Sequence, residues 1–241
     1  MQTLKKVVIS GASGFVGKAL SQSLKASGVY DVYSLVRRAP GNSSEIQWDP
    51  ERSSIDTEAF NNVAPDVVVH LAGENAIGLW NEQKKQRILE SRVKGTRLLS
   101  ETAAAMVKPP LFISASGCTY YGTQVHEPLD ETAPKGHGFF TDVIEKWEGA
   151  CEAIRAKSRV VNMRIGIFAI DHDNVSGPIN VTSPNPVTNT EFTKKLGSVL
   201  NRPTIFWIPE FVINTVFGRE MAGETILSSQ RVFTKQWIPI H

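Results

Sequence analysis

An α/β fold with a doubly wound parallel sheet and a small C-terminal lobe is what this sequence predicts, and three observations predict it. Strand and helix signals alternate along the first two thirds of the chain, the pattern of successive βαβ units. The first strand signal breaks into a helix through the glycine turn Gly11-Ala12-Ser13-Gly14-Phe15-Val16-Gly17. Val67-Val68-Val69-His70-Leu71 is continuously apolar rather than alternating, as a strand covered on both faces requires.

Taken in order, Lys6-Val7-Val8-Ile9-Ser10 predicts a strand over 6–10, and Phe15, Val16, Ala19, Leu20 and Leu24 predict a helix over about 15–27. A strand over 32–37, a short strand near Ile46-Gln47-Trp48 and the strand 67–71 follow. A helix from about 80 to 106, a strand over 111–115, a helix from about 139 to 156 and a strand over 160–167 complete the alternation. After residue 174 the composition changes to short apolar runs punctuated by proline: the strand-like Gly177-Pro178-Ile179-Asn180-Val181, a helix near 188–200, then Ile205-Phe206-Trp207-Ile208-Pro209. Two domains are expected, 1–170 and a small lobe over 175–241, whose Phe206, Trp207, Phe211 and Phe217 line a substrate cleft or, as their spacing favours, form core.

The glycine turn reads as a phosphate cradle. Gly11 allows the tight turn, Gly14 leaves the backbone open to a pyrophosphate, and Gly17 lets the helix pack close on the strand. Free N–H groups and the dipole at the helix start favour an anion there. An NAD-binding chain would carry an acid at the end of the second strand to bond the ribose 2′-hydroxyl. Here Arg37-Arg38 stand in that place, and the only nearby acid, Asp31, precedes the strand. A guanidinium matches a 2′-phosphate bidentately, so NADP(H) is the expected cofactor. Ala72-Gly73-Glu74-Asn75, behind the strand 67–71, offers small residues against which a cofactor can lie.

At 241 residues and 41% hydrophobic, the chain can bury a full core, and its net charge of +2 selects no partner. Lys84, Lys85, Arg87, Arg92, Lys94 and Arg97 make a basic helix, but Glu82 and Glu90 interrupt it and aromatics do not interleave, so no nucleic-acid surface is expected. Cys118 and Cys151 lack metal or disulfide spacing, and Asp171-His172-Asp173 reads as a polar turn rather than a metal site. A first strand this close to Met1 and the lack of a membrane-length apolar run make the cytosol the expected compartment, with no membrane partner.

Several motifs together carry a resemblance. The glycine turn, Leu71-Ala72-Gly73-Glu74-Asn75, Trp80-Asn81, Ser91-Arg92, Ser114-Ala115-Ser116-Gly117-Cys118-Thr119-Tyr120-Tyr121-Gly122, Lys146-Trp147-Glu148, Gly177-Pro178-Ile179-Asn180-Val181-Thr182-Ser183-Pro184 and Asn189-Thr190-Glu191-Phe192 are similar to those of atypical short-chain dehydrogenase/reductases known as epimerase family proteins. These are relatives of the extended sugar-nucleotide epimerases. The resemblance implies an NADP-binding Rossmann-type domain and a small substrate domain. It implies that Gly11, Ser13, Gly14, Phe15, Val16 and Gly17 surround the cofactor, that Arg37, with Arg38 beside it, meets the 2′-phosphate, and that Leu71, Ala72, Gly73, Glu74, Arg87 and Arg92 lie near it.

Two departures stand out. Enzymes of the wider superfamily use a tyrosine four residues before a lysine as proton donor. The tyrosines here, Tyr30, Tyr33, Tyr120 and Tyr121, are followed at that spacing by Ser34, Arg37, Gln124 and Val125, and Lys146 is preceded by Asp142. Ser116, Thr119 and Tyr121 remain as the candidate catalytic cluster. The second departure is a shortened C-terminal half: only Phe168 to about Gly177 stand where relatives carry substrate-domain helices, and the last strand and helix expected of relatives are not reached. Two functions fit these residues: an NADP(H)-dependent oxidoreductase or epimerase-like enzyme acting on a small polar carbonyl or sugar-like substrate, and a catalytically silent NADP-binding protein that senses the cofactor or serves a partner.

Overall fold

The computed structural model describes residues 3–123, 125–164, 177–182, 188–205 and 207–234. Lys5–Ser10 (β1), Tyr30–Val36 (β2), Glu45–Asp49 (β3), Ser54–Ile55 (β4), Val67–His70 (β5), Leu111–Ser116 (β6), Val160–Arg164 (β8) and Gly177–Asn180 (β9) form one sheet in the order β4-β3-β2-β1-β5-β6-β8-β9. Every pairing in it is parallel except β3 with the two-residue β4. Val125–Leu129 (β7) pairs in parallel with Gln230–Val232 (β10) as a separate ribbon.

Phe15–Ser27 (α1) buries Leu20 and Leu24 against Val7, Ile9, Val32 and Val69 on one face of the sheet. On the other face, Thr57–Val63 (α2) inserts Phe60, while Glu82–Ala104 (α3) and Glu152–Arg155 (α5) bring Leu99, Ala103 and Ile154 onto Val8, Val68 and Phe112. The strand 67–71 is apolar throughout because both of its faces are covered. Asn81 caps α3, its Oδ1 accepting the Lys84 N–H at 2.8 Å, so that helix begins at Glu82 rather than near residue 80. The helix expected over 139–156 is two pieces, Phe139–Gly149 (α4) and α5, with Ala150 and Cys151 as the cap residues between them.

Gly177–Asn180, where a second lobe was expected to begin, is instead the edge strand of the central sheet, in register with Val161–Arg164 of β8. The remaining elements among the described residues are the 3-10 turn Cys118–Tyr121, Asn189–Leu200 (α6), Glu210–Phe217 (α7) and Arg219–Glu224 (α8). α6 buries only Gly197 and α7 buries nothing, whereas α8 buries Met221 and Ala222. Trp207 is 81% exposed and Phe211 70%, against their expected place in a core; Phe206 lies outside the described residues. Also outside them are Asp171-His172-Asp173 and the end of the strand expected to reach residue 167.

Candidate functional site

The strand order runs outward in both directions from β1 and β5, so the crevice at their carboxyl ends is the switch point where such sheets take ligands. Gly11 sits there at φ +71°, and a Cβ on it would fall 2.9 Å from the Ala72 nitrogen and the Leu71 carbonyl carbon. One on Gly17 would lie 2.2 Å from the Gly11 oxygen. Only glycine permits this approach of the turn to the loop behind β5 and of α1 to the turn. Gly14, the N-cap of α1, offers no side-chain cap, and the first turn of α1 holds no acid. Ser13, Gly14, Phe15 and Val16 are exposed at the mouth. Unclaimed N–H groups at an uncapped helix start, beside a turn that a side chain would fill, fit a diphosphate.

Ser10 fastens this turn to its neighbour. Its Oγ accepts the N–H groups of Leu71 (3.1 Å) and Ala72 (3.3 Å) and shares a hydrogen bond with Nδ1 of His70 at 2.6 Å. His70 is fully buried, edge-on to Trp48, and burial, with the Arg92 charge behind it, pushes its pKa down to about 3.

The loop behind β5 is held on α3 by Glu74. Its N–H donates to Ser91 Oγ, its carbonyl accepts Arg92 Nη1 at 3.0 Å, and its carboxylate takes Lys84 at 2.7 Å with Arg87 at 3.9 Å. Arg92 is 9% exposed, lies against Gly73, and is flanked by the rings of Phe140 and Trp147 at 5.4 and 5.1 Å. Burial lowers its pKa to about 10, which leaves it charged at neutral pH. At the end of β2, Arg37 is exposed and makes no hydrogen bond or ion pair among the described residues, while Arg38 is joined to Glu45.

The candidate catalytic cluster is drawn into the fold. Ser116 Oγ donates to Glu148 Oε1 at 2.5 Å, and Arg164 clasps the same carboxylate through Nε and Nη2, both at 2.9 Å. Tyr121 is 3% exposed; its hydroxyl donates to Asn180 Oδ1 at 2.6 Å and accepts from Arg164 Nη1 at 2.8 Å. Burial raises its pKa against the opposing pull of Arg164. Thr119 enters through its carbonyl, which accepts the Thr141 hydroxyl. Glu148, Arg164 and Asn180 were therefore missed from sequence. Glu148 and Asn180 belong to family motifs that give them no role, and nothing local marks Arg164; the β6-β8-β9 pairing brings Arg164 and Asn180 to Ser116 and Tyr121. Lys146 projects from α4 into a separate groove of about 520 Å³ lined by Leu89, Val93, Arg97 and Ala153.

A parallel sheet that reverses its order at a glycine turn, with helices on both faces, defines a Rossmann-type α/β protein. The model of the NAD dependent epimerase/dehydratase family matches residues 7–138, more than half of the chain, and the chain belongs to that family. An epimerase family protein of Mycobacterium leprae is 35% identical, the match taking in 93% of this chain and 87% of the relative. A human epimerase family protein, crystallised with NADPH, is similar at a TM-score of 0.81 and 27% identity, over 94% of this chain and 90% of that one. A nucleoside-diphosphate sugar epimerase from Corynebacterium glutamicum gives a TM-score of 0.71 at 28% identity, over 96% of this chain and 53% of that one. The alignment with the M. leprae protein spans 272 positions while using 93% of 241 residues, about 224, so about 48 of its positions have no residue here.

Proposed function

We propose that this chain is an NADP(H)-binding oxidoreductase or epimerase-like protein that acts without a tyrosine–lysine pair on a small polar carbonyl or sugar-like substrate. The observation that carries the reading is the free Arg37 guanidinium at the end of β2, on the same sheet edge as the uncapped glycine turn. In this reading Gly11, Ser13, Gly14, Phe15, Val16 and Gly17 seat the pyrophosphate, Arg37 binds the 2′-phosphate, Leu71, Ala72 and Gly73 lie against the nucleoside, and Arg87 and Arg92 add positive charge. Glu74 anchors that loop rather than touching the ligand. The cofactor supplies or takes up a hydride when bound. Ser116, at the end of β6, spends its proton on Glu148 and so presents lone pairs, which accept from a substrate hydroxyl. Residues 1–170 serve as the cofactor domain, and the segment from 188 onward as the substrate side.

A catalytically silent cofactor-binding protein is the second reading. It is favoured by one observation: the hydroxyls of Ser116 and Tyr121 are both committed to partners inside the fold. Calorimetric titration tests what the two readings share. NADPH should bind more tightly than NADH, and Arg37→Ala should remove most of the difference; equal affinities in the unmutated chain would refute the assignment. NADPH consumption over a panel of small carbonyls then separates enzyme from silent binder.

A further inference from the structure

Glu45 belongs to no motif, yet its carboxylate organises the whole β2–β3 connection. Oε1 accepts from Arg38 Nη2 at 2.6 Å, and Oε2 accepts from Arg38 Nη1 at 2.8 Å and from the Gly41 N–H at 2.7 Å. Arg38 Nη1 also donates to the Ala39 carbonyl, so one guanidinium closes on both sides of the turn. Asn42 completes it: its side-chain oxygen accepts the Ser44 N–H and its carbonyl accepts the Glu45 N–H. The Glu45 side chain is largely covered, and the Arg38 guanidinium with the Gly41 N–H holds its carboxyl below the ordinary carboxylate range.

The register gives this clasp a direction. Glu45 pairs with Ser34, two residues before β2 ends at Val36, so Arg38 folds back beside the sheet, away from the carboxyl edge that receives ligands. Arg37, one residue earlier, keeps a free guanidinium at that edge. A bidentate arginine–carboxylate pair is directional as well as strong, and a lysine cannot reproduce it.

The geometry points to Glu45 and Arg38 as a positioning pair for cofactor selectivity: by clasping the loop 37–44 they leave Arg37 as the single guanidinium presented to the 2′-phosphate of NADP(H). This rests on the NADP(H) reading above and goes beyond it, because it gives the second arginine a role other than ligand.

The test is a double-mutant cycle read by calorimetric titration with NADPH and with NADH, on Glu45→Ala, Arg38→Ala and the two combined, with Arg38→Lys as a variant that keeps the charge. Each single substitution should weaken NADPH about tenfold and leave NADH unchanged, and the double variant should be no weaker than either single, because the pair acts as one unit. Arg38→Lys should behave as Arg38→Ala, and amide exchange over 39–44 should speed up in all four. Undiminished or tighter NADPH binding by Glu45→Ala would overturn the inference, since a released Arg38 would then serve the phosphate itself. So would additive losses, or a parallel loss of NADH affinity, which marks a merely structural defect. An unmutated chain without preference for NADPH refutes the cofactor reading and this inference with it, and that result is seen before any variant is made.

Discussion

Arg164→Met is the perturbation that best separates structure from chemistry in the cluster around Ser116. The Arg164 side chain is 3% exposed and satisfies the Glu148 carboxylate through two bonds and the Tyr121 hydroxyl through a third, while its guanidinium lies 3.5 Å from the centre of the Tyr120 ring. Methionine fills most of the volume but strands Glu148, whose negative charge then keeps only the Ser116 hydroxyl. Breaking a buried pair by removing one partner costs about 3–5 kcal/mol. The lower end applies, because the Glu148 side chain is 14% exposed and water can reach it. A loss of about 3 kcal/mol corresponds to a fall in Tm of ~6–12 °C for a chain of this size. Adding Glu148→Leu removes the stranded charge and should restore the double variant to within about 1 kcal/mol of the parent, since apolar replacement of a buried pair is often neutral. Urea unfolding followed by circular dichroism measures the parent, Arg164→Met, Glu148→Leu and the double variant, and titration with NADPH below their midpoints should show affinity retained. A loss under about 1 kcal/mol for Arg164→Met, or a double variant as unstable as the sum of the singles, would refute the buried-pair argument.

Three further outcomes are expected. His70 has a folded pKa near 3 against an unfolded value of 6.5, so its contribution is complete above about pH 6.5 and is lost as pH falls, because the unfolded chain takes up a proton that the folded one refuses. Between pH 7 and pH 5 this amounts to about 2 kcal/mol, which urea unfolding should show in the parent and not in His70→Asn. Lys146→Ala should leave NADPH affinity and any turnover unchanged, since the side chain lines a groove with Leu89, Val93, Arg97 and Ala153 that includes neither Ser116, Thr119 nor Tyr121. Hydrogen exchange should find α6 and α7 weakly protected beside β1 and β5, because neither helix buries an apolar side chain; equal protection would show that the shortened lobe is well covered.

What the sequence disclosed depended on whether a feature is local. The glycine turn, the apolar strand 67–71, the helix at 15–27 and the arginines closing β2 are each written in a few adjacent residues. The order of the parallel strands follows from them through the handedness of the crossovers. The β7–β10 ribbon joins segments about a hundred residues apart, and short strands without a hairpin turn leave no periodic signature. The Ser116–Glu148–Arg164–Asn180 network is invisible for the same reason: hydroxyls at a strand end look available until the partners brought by α4, β8 and β9 are known. Arg38 is the sharpest case. As a residue type it matches a phosphate as well as Arg37 does, and only the fold shows it turned onto Glu45.

Competition between the two cofactors tests the central claim most directly. The unmutated chain, mixed with equal concentrations of NADP+ and NAD+ and examined intact by native mass spectrometry, should carry mainly the heavier nucleotide. The same mixture with Arg37→Ala should show the two at similar occupancy. Equal occupancy on the unmutated chain, or no nucleotide retained at all, would contradict the account.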